Sequence, residues 1–176
     1  MNILFICGVT DAGKSTTIRR SIQFLDVDSV TKDKFLHNQN TPKIIYANGK
    51  TICVYLDSPQ EATSEPDEAV EYLKDKIEIA QNYHSDLLVL AFNIRAYHDN
   101  KTDACLHWLD NEGPKSSTYF TYLDSNTVLD TFARVKMNSI RENEFNILPT
   151  INRTNTDEQG KIFASYITNL LLFSKY

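Results

Sequence analysis

Residues 8–15 read Gly-Val-Thr-Asp-Ala-Gly-Lys-Ser, an unbroken match to G-x-x-x-x-G-K-[ST]. The pattern is restrictive because its chemistry needs one context: the loop must leave a strand and open a helix. Both flanks comply. Asn2–Cys7 is a short apolar run that reads as a buried strand, and Lys14–Leu25 puts Ile18, Ile22 and Leu25 on one helical stripe. The chain has only five glycines, and two of them fall at the required spacing here.

Such a loop curls around a phosphate with its backbone N–H groups turned inward. Gly8 and Gly13 supply the dihedral freedom and close approach, with Val9, Thr10, Asp11 and Ala12 between them. The helix N-terminus adds unpaired donors and a partial positive charge. Lys14 is expected to reach the β- and γ-phosphates, the Ser15 hydroxyl to ligate Mg²⁺, and Thr16 to lie near the α-phosphate.

Further along, strands and helices alternate. Asp26–Asn40 has no clear period and reads as a polar connection. Lys43–Ala47 and Thr51–Asp57 are β-rich runs separated by Asn48-Gly49-Lys50, a strong hairpin signal. Ser64 and Asp67 are spaced as a capping box for a helix reaching Tyr83, with Val70, Leu73, Ile77 and Ala80 as its stripe. Asp86–Asn93 fits a strand buried on both faces. Asp103–Asp110 (helix), Ser117–Leu123 (strand), Val128–Arg141 (helix, Phe132 and Val135 inward) and Phe145–Leu148 (strand) follow. Thr156 and Gln159 then cap a last helix to Phe173. The expected fold is a three-layer α/β P-loop domain over residues 1–176, with a mostly parallel six-stranded sheet, one antiparallel strand, and helices on both faces.

The length of 176 residues suits one such domain. A net charge of −5 gives no indication of nucleic-acid binding. No apolar run is long enough for a membrane span, and no signal-peptide core is present, so a cytoplasmic location is expected. Cys7, Cys53 and Cys105 are scattered without a CxxC, which argues against a disulfide framework or zinc; Cys7 and Cys53 read as small buried hydrophobes.

Asp57 closes a strand, where a carboxylate can hold a Mg²⁺-bound water opposite Ser15. Gln60 and Glu61 follow, and either could position a water against the γ-phosphate; Gln60 is the expected catalytic member, with Lys14 and Asp57. With these residues in view, Met1–Arg20 resembles the start of a Ras/Arf-type small GTPase. The hairpin Lys43–Asp57 is similar to that family's second and third strands, and Asp57-Ser58-Pro59-Gln60-Glu61 looks like its D-x-x-G-Q switch segment. The resemblance implies a Mg²⁺-dependent GTPase with a threonine on the metal, Thr31 or Thr41 here. Gln60 stands where that family has a glycine. The guanine-reading N-K-x-D is replaced by Asp124-Ser125-Asn126, where Asp124 could still reach a base edge. Asn152-Arg153-Thr154 offers another place for base contacts.

Three functions follow. The first is a GTPase-like NTPase, turning over GTP or ATP slowly and signalling to a protein partner. The second is an ATP-dependent small-molecule or nucleotide kinase, for which Arg95, the loop Arg95–Thr102, Arg134 and Arg141 are candidate contacts. The third is a non-hydrolysing nucleotide-binding regulatory module.

Overall fold

Alternation along the first strand, β1 (Asn2–Gly8), splits the protein into two apolar layers. Ile3, Phe5 and Cys7 enter one core, and Leu4 and Ile6 enter the other. All five are fully buried, so β1 lies at the centre of a sheet covered on both sides. The computed structural model describes residues 1–37, 43–94, 99–124, 130–152 and 154–173.

The other strands are β2 (Ile44–Ala47), β3 (Lys50–Tyr55), β4 (Leu87–Asn93), β5 (Thr118–Tyr122) and β6 (Asn146–Ile147). They form one six-stranded sheet in the order β2-β3-β4-β1-β5-β6. Among the described residues only the β2–β3 pair is antiparallel. Its turn uses Asn48 at φ 53° and Gly49 at φ 72°, the two left-handed residues that a tight hairpin requires. The expected α/β architecture is therefore observed, hairpin included.

The helices are α1 (Lys14–Ile22), α2 (Ser29–Leu36), α3 (Pro59–Ala62), α4 (Pro66–Asn82), α5 (Asp99–Asn111), α6 (Asp130–Glu142) and α7 (Thr156–Phe173). Residues of α4, α5 and α6 close the Phe5 side of the sheet, and residues of α1, α2 and α7 close the Leu4 side. Among the described residues no helix is long and apolar enough to cross a membrane. Cys7, Cys53 and Cys105 are all free and buried.

Several local expectations are corrected. The segment read as a polar connection contains α2, capped by Asp28, whose side chain accepts from the Thr31 N–H at 2.9 Å. Its single buried residue, Phe35, gave no readable stripe. The cap of α4 is Glu65, one residue after Ser64, paired reciprocally with Glu68. The side-chain cap of α7 is Asn155, which accepts from the Glu158 N–H, rather than Thr156. In α6 the inward residues are Ala133, Met137 and Ile140, while Val135 is 64% exposed.

Helix α1 is clamped from behind. A Cβ built on Gly160 of α7 would lie 2.7 Å from Arg20 Cβ and 3.0 Å from the Arg20 carbonyl carbon in α1. Neither atom is the far end of a flexible chain, so the helices would have to part. Gly160→Ala gains up to about 1 kcal/mol of helix propensity. It loses about 1–3 kcal/mol to overpacking, and Gly160→Leu loses more. Urea midpoints should therefore fall in the order Gly, Ala, Leu. A midpoint for Gly160→Ala above wild type would show that the two helices are not in tight contact.

Candidate functional site

The Gly8–Ser15 loop is built where the carboxyl ends of β1 and β4 meet, with Gly8 in register with Asn93. The Ile94 N–H donates to the Gly8 carbonyl at 3.0 Å and pins the start of the loop. Asp11 at φ 61° and Gly13 at φ 89° then turn the backbone into α1. Gly8 allows a close approach instead: a Cβ there would stand a tight 3.2 Å from both Ala12 Cβ and the Leu123 carbonyl oxygen.

The first bond inside α1 runs from the Thr17 N–H to the Gly13 carbonyl at 2.8 Å. The N–H groups of Lys14, Ser15 and Thr16 precede it, and Gly13 has no side chain to cap them. Such donors suit an anion. Lys14 sits inside the curl, 5% exposed. Its ammonium donates to the Val9 carbonyl at 2.8 Å and the Gly8 carbonyl at 3.3 Å. Burial pulls the pKa of Lys14 below its ordinary 10.5, against the raising charges of Glu61, Cys7 and Asp11. The Ser15 hydroxyl donates to the Leu56 carbonyl at 2.8 Å.

A depression of about 300 Å³ opens here, lined by Asp11, Gly13, Lys14, Ser15, Thr16 and Glu61. Its two carboxylates are Asp11 and Glu61. The Ser15 bond to the Leu56 carbonyl brings the end of β3 up to the start of α1, although β4 stands between β1 and β3 in the sheet. Asp57, just past β3, does not line the depression. Its charge instead helps raise the pKa of Tyr72 in α4, second to burial. The chain returns to the loop through α3, which crosses the end of β4 and delivers Glu61.

Asn93 ties this return together. Its amide donates to Glu61 Oε1 at 2.6 Å and to Thr10 Oγ1 at 2.9 Å. Ser58 donates to the other Glu61 oxygen at 2.9 Å, fixing the carboxylate from both sides. Gln60 is fully buried. Its Oε1 accepts from the Asn93 N–H at 3.2 Å, so it supports the turn and does not line the depression. Lys101 of α5 braces α3 by donating to the Gln60 and Thr63 carbonyls at 3.1 and 2.6 Å.

Of the expected site residues, Asp11, Gly13, Lys14, Ser15 and Thr16 line the depression, and Gly8, Val9, Thr10, Ala12, Asp57 and Gln60 do not. Thr31 lies in the first turn of α2, away from the lining residues. Thr41, Arg95, Ser125, Asn126 and Arg153 lie outside the described residues. Asp124 is ion-paired with Arg134 at 2.8 Å. Asn93 and Lys101 were missed, although a polar residue closing the apolar run Leu87–Phe92 was a usable signal for the first.

Ser15 and Glu61 put a hydroxyl and a carboxylate on one depression beside Lys14. Hard oxygen donors of this kind fit Mg²⁺, which takes few protein ligands and keeps its remaining positions for phosphate and water. Comparison of the chain with protein-family models, curated proteins and solved structures gave no match.

Proposed function

We propose that the protein binds a nucleoside triphosphate with Mg²⁺ at the Gly8–Ser15 loop and hydrolyses it slowly, as a P-loop NTPase with a switch or regulatory role. The observation that carries this is the buried Lys14 ammonium at the centre of the loop, with Ser15, Thr16 and Glu61 on the same depression. Lys14 and the N–H groups opening α1 would balance phosphate charge. Ser15 would hold the metal, which would supply charge neutralisation when bound.

For hydrolysis, Glu61 is the group fixed to accept a proton as water attacks the γ-phosphorus and the bridging oxygen leaves with the diphosphate. Asn93 and Ser58 orient that carboxylate. GTP and ATP are both candidate substrates. The reading rests on the loop and on Glu61, and does not need the Ras/Arf likeness, whose switch glycine and base motif this chain lacks.

The test is equilibrium binding of ATP and GTP with Mg²⁺, together with phosphate release in the absence of an acceptor. Binding of at least one nucleotide and slow release of phosphate are expected. No binding of either nucleotide would sink the proposal, and binding without any release would reduce it to a nucleotide-binding module.

A further inference from the structure

A second cleft adjoins the phosphate site on its α1 side. It measures about 140 Å³ and is lined by Thr16, Arg19, Arg20, Phe35 and Leu36. Thr16 lines both spaces, so the cleft begins where the α-phosphate end of a bound triphosphate would lie. Thr16, Arg19 and Arg20 are three and four residues apart and share one helix face. The opposite wall is the end of α2. Gln23 fastens that helix to α1 by donating its amide to the Lys32 carbonyl at 2.7 Å.

We propose that this cleft holds the nucleoside end of the substrate, with the base stacked on the Arg19 guanidinium and against Leu36. The inference rests on the triphosphate reading given above. Arg20 is already engaged, 3.6 Å from Asp157. Arg19 is not: its Nε is buried and has no hydrogen-bond partner among the described residues. Phe35 is 1% exposed and forms a solid floor, whereas Leu36 leaves 45% of its surface open at the rim. An apolar rim and a planar cation suit the two faces of a flat heterocycle. Among the described residues the lining holds no carboxylate or carboxamide to read a base edge, so stacking on Arg19 and Leu36 would serve adenine and guanine alike.

The experiment compares inorganic tripolyphosphate, ATP and GTP, each with Mg²⁺, by calorimetry on wild type, Arg19→Lys and Leu36→Gln. Arg19→Lys keeps the charge and removes the plane. Leu36→Gln changes an exposed residue and so protects the test against misfolding. Wild type should bind both nucleotides more tightly than tripolyphosphate. Each variant should lose on the order of tenfold for ATP and GTP, with tripolyphosphate unchanged. Wild-type nucleotide affinity in both variants would overturn the proposal. So would an equal loss for tripolyphosphate, because the residues would then serve the phosphates. If wild type bound neither tripolyphosphate nor nucleotide, the P-loop reading itself would have failed.

Discussion

Lys14→Met is expected to weaken Mg²⁺–triphosphate binding by at least about 100-fold, since each charge-assisted hydrogen bond lost is worth about 1.5–3 kcal/mol. The substitution keeps most of the side-chain bulk. It also removes the cost of burying an ammonium that is 5% exposed. The melting temperature without nucleotide should therefore hold while affinity collapses. A pH signature accompanies this. Burial depresses the Lys14 pKa below 10.5, and phosphate favours the charged form. Affinity is therefore full below the depressed value and falls as pH rises through it, before free lysine would titrate. Nucleotide titrations of wild type from neutral to alkaline pH check this. Near wild-type binding by Lys14→Met would show that the loop is not a phosphate site.

Glu61→Gln is expected to reduce phosphate release by about 10²–10⁴-fold, the usual contribution of a positioned acid or base. Nucleotide binding should survive. The amide keeps the shape of the carboxylate and can still meet Ser58 and Asn93, so a lost fold would not explain the result. Asp57→Asn is the informative comparison: it should change the rate little, because Asp57 does not line the depression. Single-turnover phosphate release separates the two. A large loss from Asp57→Asn with none from Glu61→Gln would return the catalytic role to the strand end and remove it from α3.

That contrast also marks how far the sequence could be read. The loop, its strand and its helix were legible because glycine spacing and flanking periodicity are local. The Asn48-Gly49 hairpin was legible for the same reason. Strand order was not, because the placing of β4 between β1 and β3 depends on pairings such as Ile3↔Leu88 and Cys53↔Leu88, far apart in the chain. The carboxylates on the depression are Asp11 and Glu61, with Asp57 outside its lining. Gln60 and Glu61 were both in view, but adjacent residues on a helical turn face different ways. Which of them turned inward depended on Asn93, a residue of another strand. The helix α2 escaped detection because Phe35 is its only buried residue and its cap is a single aspartate. Val135 was expected inward, but the phase of α6 is set by Ala133, Met137 and Ile140 against the aromatic cluster of Phe5, Phe92, Phe120 and Phe145.

The central position of β1 has a consequence during synthesis. Both of its neighbours come much later: β4 pairs Ile3 with Leu88, and β5 pairs Ile3 with Thr118. At ordinary translation rates β1 leaves the ribosome roughly ten seconds before its second neighbour is made. For that interval the strand Ile3–Cys7 has no sheet to join, and Gly8 has no Asn93 beside it. The Gly8–Ser15 loop is thus written early and built late, which makes the nascent chain most prone to misassociation before residue 123 emerges.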